Sequence, residues 1–159
     1  MQTSYPTAMG VAIPGMLADM GPKDIVSKTH ASLKVLFGLF IARGADNELG
    51  KIPALATDIT TNGVGFVVAD QSQECIGDAA APGVPAGKQF NVLKKGRLWV
   101  TCEDPSNYAY GMQASVRYAG TGVAGGLVCT PVSMETALVP NSKLLAKSGS
   151  LVLVEVNNV

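Results

Sequence analysis

The sequence predicts an all-β protein, a compact β-barrel or jelly-roll-like sandwich with an extended N-terminal arm. Three observations predict it. Short apolar or alternating runs recur at intervals of about ten to twenty residues, the spacing of strands in sandwiches and barrels. Turn formers are abundant, with 18 glycines and 9 prolines in 159 residues. No amphipathic stretch reaches the roughly twelve residues that a stable helix needs, so helix content is expected to be low.

Residues 1–22 read MQTSYPTAMGVAIPGMLADMGP, with Pro6 and Pro14 inside the run and no period of 3.6 or 2.0. This is an extended arm, yet it carries four of the six methionines together with Val11, Ile13 and Leu17. A tail that merely stays solvated has no use for such residues. Two readings are open: an apolar arm that docks on a neighbour through adaptable thioether side chains, or an arm folded back on its own domain. Removal of residues 1–22 is expected to leave the remainder folded.

The strand-like runs then follow in order: LKVLFGLFIA at 33–42, GVGFVVA at 63–69, FNVL at 90–93, RLWVTC at 97–102, QASVRY at 113–118, LVC at 127–129 and SLVLVEV at 150–156. Residues 43–50, 79–87 and 104–110 are rich in Gly, Pro, Asn and Asp and read as turns. Neither an internal repeat nor a low-complexity linker divides the chain. The expected organisation is an arm over residues 1–30 and a single β-domain over 31–159.

Composition narrows the function. Hydrophobic residues make up 47% of the chain and charged ones 15%, against about 25% charged in ordinary soluble domains. Mean hydropathy is positive at +0.26. A surface so poor in charge fits a protein largely covered by other subunits, the alternative being an unusually apolar monomer. Twelve Lys and Arg balance twelve Asp and Glu with no block of one sign, so the chain lacks the basic footprint that nucleic-acid binding requires. No Lys or Arg precedes Lys23, which argues against a signal peptide. The uncharged stretch between Arg117 and Glu135 contains four glycines and Pro131, which would break a membrane helix. Neither nucleic acid nor membrane is an expected partner.

Chemistry is scarce. The run Gly120-Thr121-Gly122-Val123-Ala124-Gly125 has a GxGxxG spacing, but a dinucleotide fingerprint must open a helix and be followed by an acid about twenty positions on. Pro131 stops any helix, and Glu135 comes too early. The run reads instead as a flexible turn between strands, and no cofactor is expected. His30 is the single histidine, so no multi-histidine metal site can form within one chain, and no GxSxG nucleophile motif accompanies it. The acids Glu103-Asp104, and Asp46 with Glu48, lie in turn-like sequence and read as solvated. Cys75, Cys102 and Cys129 are spaced by 27 residues. That fits neither a CxxC knuckle nor a disulfide framework, and they read as small buried hydrophobes of a reducing cytosol. No catalytic residue emerges, and the chain is not expected to be an enzyme. Trp99, Tyr108, Tyr110 and Tyr118 cluster around the DPSN turn and suit an interface hot spot or a sugar platform, or else cross-strand packing.

The arm YPTAMGVAIPGMLADMGPKDIVSKT at 5–29, LFGLFIARGA at 36–45, GVGFVVAD at 63–70, NVLKKGRLWVTCE at 91–103 and the terminal SLVLVEV together resemble the structural cement proteins that decorate capsids of tailed phages. The resemblance covers most of the chain, though each segment is a soft structural pattern. It departs at YAYGMQASVRY, where Tyr110-Gly111 replaces a Gly-Asp pair frequent in the family. The resemblance implies a capsid decoration protein on the exterior of the virion, assembled in the host cytoplasm. It also implies the major capsid protein as partner and a dimer or trimer, without fixing which; the low charge content and the apolar arm point to a symmetric homo-oligomer, with a trimer slightly preferred over a dimer. The expected contacts are Met9, Val11, Ile13, Met16 and Leu17 of the arm, with Trp99, Tyr108 and Tyr110. The alternative is another virion β-module, a tail or carbohydrate-binding component.

Overall fold

The structure, a computed structural model, describes residues 13–18, 21–30, 32–69 and 82–157. Its spine is a 13-residue strand that we call β7, Gln89–Thr101. Five shorter strands precede it in this sheet or beside it: β1 (Asp24–Thr29), β2 (Val35–Leu36), β3 (Phe40–Arg43), β4 (Gly50–Lys51) and β5 (Gly63–Val67), and β6 (Gly83–Val84) completes the first half. After β7 come β8 (Ser115–Arg117), β9 (Leu127–Val128), β10 (Thr136–Leu138), β11 (Ser142–Ser148) and β12 (Leu151–Asn157). Among the described residues, helix is confined to α1, Ala56–Thr60, and one 3-10 turn, Pro105–Asn107.

Seven strands form the principal sheet in the order β11-β12-β7-β5-β3-β4, with β1 also on β7. A three-stranded sheet β10-β8-β9 and a two-stranded ladder β2-β6 complete an all-β architecture of several antiparallel sheets. β7 is long enough to serve different neighbours along its length. Its first half pairs with β1, from Ile25↔Leu93 to Thr29↔Gln89, and with β5 at Phe66↔Leu93. Its second half pairs with β12, from Leu151↔Thr101 to Asn157↔Lys95.

Side-chain alternation explains the core. In β12, Val152, Val154 and Val156 are buried and the residues between them are not, the period-two pattern of a strand with one covered face. β3 and β5 read as continuous apolar runs because both of their faces are covered. Phe40, Phe66 and Leu93 belong to the larger core together with Leu98, Leu127 and Leu144. Their neighbours Ile41, Val67 and Val92 belong to a second core with Val35, Val84 and Phe90. Phe40 and Phe66 meet edge to face at 5.2 Å, a favourable quadrupole arrangement. The glycine between Val64 and Phe66 follows from close packing: a Cβ at Gly65 would sit 1.8 Å from the Leu93 carbonyl oxygen.

Some elements are not evident from local sequence. Residues 24–29, inside the stretch read as arm, form β1, where Lys28 is buried and its ammonium donates to the Asn47 carbonyl. The short α1 is anchored by Asp58, whose Oδ2 accepts from the N–H groups of Ala54 and Leu55 and from Lys51 Nζ. Burial opposes the charged form of Asp58, but these bonds outweigh it and hold the carboxyl below its ordinary range.

Candidate functional site

Two features of the surface around the second half of β7 carry the functional argument. The first is residues 13–18. Gly15 N–H donates to the Trp99 carbonyl at 2.8 Å, Trp99 N–H to the Met16 carbonyl at 2.9 Å, and Ala18 N–H to the Arg97 carbonyl at 3.1 Å. Leu17 bridges Leu98 and packs on the larger core. These residues therefore lie along β7 as an added strand segment. Gly15 is required there: its φ is +80°, and a Cβ would fall 2.7 Å from Ala69 N, which itself donates to the Gly15 carbonyl. Leu17 faces inward, whereas Ile13 and Met16 remain 53% and 41% exposed. Met9 and Val11 lie outside the described residues.

The aromatic residues separate. Leu98 and Val100 enter the larger core, so Trp99, half-buried between them in sequence, faces the other side of β7. Tyr108 is half-buried and packs against the larger core. Burial, then the neighbouring Tyr110 and Cys129, push its phenol above the ordinary range. Tyr110 is 77% exposed. Trp99 and Tyr108 thus do not share one platform, and Tyr110 presents the largest free aromatic surface.

The second feature is the segment joining β7 to β9. Glu103 and Asp104, read as solvated, are bonded here, because the chain folds back over β8. Arg117 is 11% exposed and lies between Glu103 Oε2 at 2.9 Å and Glu135 Oε2 at 2.6 Å. Glu103 Oε1 accepts the N–H of Val123 at 2.9 Å. The glycine run at 120–125 is therefore a seated turn, fastened to Arg117 and Glu103 and leading into strand β9, rather than a flexible one. A Cβ at Gly122 would lie 2.2 Å from Arg117 Nε, which accounts for that glycine without any nucleotide. Asp104 Oδ1 accepts from Cys129 N–H at 2.6 Å, and Oδ2 from Thr130 N–H at 2.8 Å and Asn107 Nδ2 at 3.3 Å. Burial disfavours the Asp104 charge, but these donors prevail and hold its carboxyl below the usual range.

The same fold-back joins two cysteines that sequence spacing left apart. Cys102 Sγ and Cys129 Sγ are 3.2 Å from each other, and Asp104 Oδ1 is 3.4 Å from Cys102 Sγ. The parallel bridge Cys102↔Leu127 and the bond from Cys129 N–H to Asp104 make a spacing of 27 a contact. Among the described residues this trio is the one cluster offering three ligand atoms to a metal, yet both Asp104 oxygens already accept main-chain N–H groups. His30 does local work: its Nδ1 accepts from Leu33 N–H at 3.1 Å.

Comparison with known proteins now supplies the identity. No curated protein matches the chain. Among solved structures, a chain of the capsid of Myoviridae Phage XM1 has the same fold, with a TM-score of 0.76 at 16% identity over 99% of this chain and 97% of that one. The family described as structural cement protein (E217 gp24/Pam3 gp6) matches residues 1–157. The chain belongs to these structural cement proteins of phages, components that decorate and stabilise the capsid.

Proposed function

We propose that this protein binds the assembled lattice of the major capsid protein on the exterior of the head, as a homo-oligomer, and that its N-terminal segment is the principal clamp. The observation that carries the reading is the dual character of residues 13–18. Main-chain bonds to β7 fix their path, while Ile13 and Met16 stay exposed. Fixing the path in advance removes part of the ordering entropy that a free arm would lose on binding. Met9 and Val11 extend the same apolar sequence. Closed symmetry suits the local axes of a lattice, and a trimer is slightly preferred over a dimer. Tyr110 is a secondary contact, and assembly takes place in the host cytoplasm.

The test is deletion of residues 1–12, which leaves the β7 pairing of residues 13–18 in place. Particles lacking the protein are incubated with each version, and copies per capsomer are counted. Full-length protein should fill the sites, and the deletion should reduce occupancy at least tenfold while the melting temperature is retained. Unchanged occupancy would rule out Met9 and Val11 as contacts, and occupancy that stays unchanged when Ile13 and Met16 are also replaced by Ser would move the clamp to Tyr110. Light scattering of free protein gives the oligomer size, and a monomer bound off the lattice axes would overturn the symmetric assembly.

A further inference from the structure

We propose that Cys102 and Cys129 are a modification site that closes to an intramolecular disulfide when the protein meets an oxidising medium. The place where this happens, the released particle, rests on the capsid role; the chemistry of the pair does not.

The two sulfurs are 3.2 Å apart, and a disulfide requires about 2.05 Å. Closure therefore needs an approach of only about 1.2 Å, within reach of side-chain rotation. The backbones on either side are held independently of the thiols. Cys102 N–H donates to the Ser150 carbonyl at 2.9 Å, and the next residue, Glu103, donates its N–H to the Leu127 carbonyl at 3.0 Å. Cys129 N–H is fastened at 2.6 Å to Asp104, two residues beyond Cys102. Removing the thiols would leave this frame standing. Both thiols are buried, with Cys102 keeping 3% exposure and Cys129 none, so oxidant reaches the pair first at Cys102.

Closure breaks two S–H bonds, forms one S–S bond and releases two protons and two electrons. A hydroperoxide is the oxidant. One sulfur, as thiolate, attacks a peroxide oxygen, and the O–O bond breaks to give a sulfenic acid and water. The second sulfur then displaces the sulfenic oxygen, which leaves as a second water. Hydrogen peroxide is reduced to two waters and the pair is oxidised. Burial raises both thiols above their ordinary range, aided at Cys102 by the bond with Cys129 and at Cys129 by the charge of Asp104. Thiolate is scarce at neutral pH, so closure should be slow and should accelerate as pH rises. That suits a bond absent in a reducing cell and formed gradually on a virion surface. The link would tie the end of β7 to β9 and so join the two main sheets.

The sequence makes the test clean. Trypsin cleavage after Lys51, Lys88, Arg97, Arg117 and Lys143 leaves Cys75, Cys102 and Cys129 on three peptides, 52–88, 98–117 and 118–143. Purified full-length protein is treated with hydrogen peroxide, alkylated without reduction, digested and weighed. The expected product joins 98–117 to 118–143, lighter by two hydrogens than the separate peptides, with Cys75 alkylated. Melting temperature should rise by roughly 5 to 10 °C and fall back with reductant. Cys75→Ser should behave likewise, and Cys102→Ser and Cys129→Ser should lose both effects. Full alkylation of both peptides after peroxide, or a link through Cys75, would overturn the proposal. A second arm maps protein from particles purified without reductant. The link should be present there, and its absence beside closure in free protein would overturn the placement on particles. Loss of capsid binding would leave the first arm unaffected.

Discussion

Residues 13–18 pair with the second half of β7 and residues 103–135 fold back on themselves beyond its end, and the two stretches are held through different groups. The first stretch uses main-chain N–H and carbonyl groups, so its path depends little on which side chains it carries, Gly15 and the inward Leu17 excepted. The second uses side chains: Asp104 collects three donors, and Glu103 and Glu135 enclose Arg117. A stretch held by its backbone leaves side chains free for another molecule, whereas one held by carboxylates commits them to its own fold. Stability should accordingly be sensitive to single substitutions at the second site, and capsid binding to those at the first.

The largest stability effect is expected for Asp104→Ala. It strips acceptors from the N–H groups of Cys129 and Thr130 together, and hydrogen bonds to a charged group contribute about 1.5 to 3 kcal/mol each. A loss of about 2 to 4 kcal/mol in denaturant unfolding is expected; a loss below about 1 kcal/mol would mean that the corner is held by packing alone. The same carboxylate gives a pH dependence. Its folded pKa is depressed, so its contribution is complete above the unfolded value of about 3.9 and is lost as pH falls through the lower folded value. Acid titration of the wild type should show this loss below about pH 4, and Asp104→Ala should flatten it.

Gly15→Ala probes a residue-specific point of the backbone-held stretch. With φ at +80° and Ala69 N at 2.7 Å from the added carbon, about 1 to 3 kcal/mol should be lost. An unchanged midpoint would show that residues 13–18 are not coupled to the sheet. The smallest stability effect is expected for Ile13→Ser with Met16→Ser, within about 0.5 kcal/mol since both side chains are exposed. That double variant should nevertheless lower occupancy on capsids, and equal occupancy would break the contrast drawn between the two stretches.

The main strands were legible because burial leaves a local trace. Leu151–Asn157 alternates as a half-covered strand does, and GVGFVV runs unbroken because β5 has a core on each face. Low helix content was legible too, since the density of Gly and Pro leaves no room for long helices. β1 was harder. DIVSKT carries a lysine whose burial depends on a distant carbonyl, that of Asn47. SKLLAKS, now β11, has no period of its own and becomes a strand by pairing with β12.

By itself, the sequence determined the β class, the turn at 104–110, the apolar N-terminal segment and the resemblance to capsid cement proteins, because each depends on composition or on neighbours a few residues apart; residues 83–84, inside a stretch read as a turn, form β6 instead. Only the tertiary structure decided that Leu17 turns inward while Ile13 and Met16 do not, that Trp99 and Tyr108 take opposite sides of β7, and that Glu103 and Asp104 are bonded. It alone brought Cys102 to Cys129. These are outcomes of register between segments distant along the chain, and register is set by which main-chain groups pair and which faces are buried together.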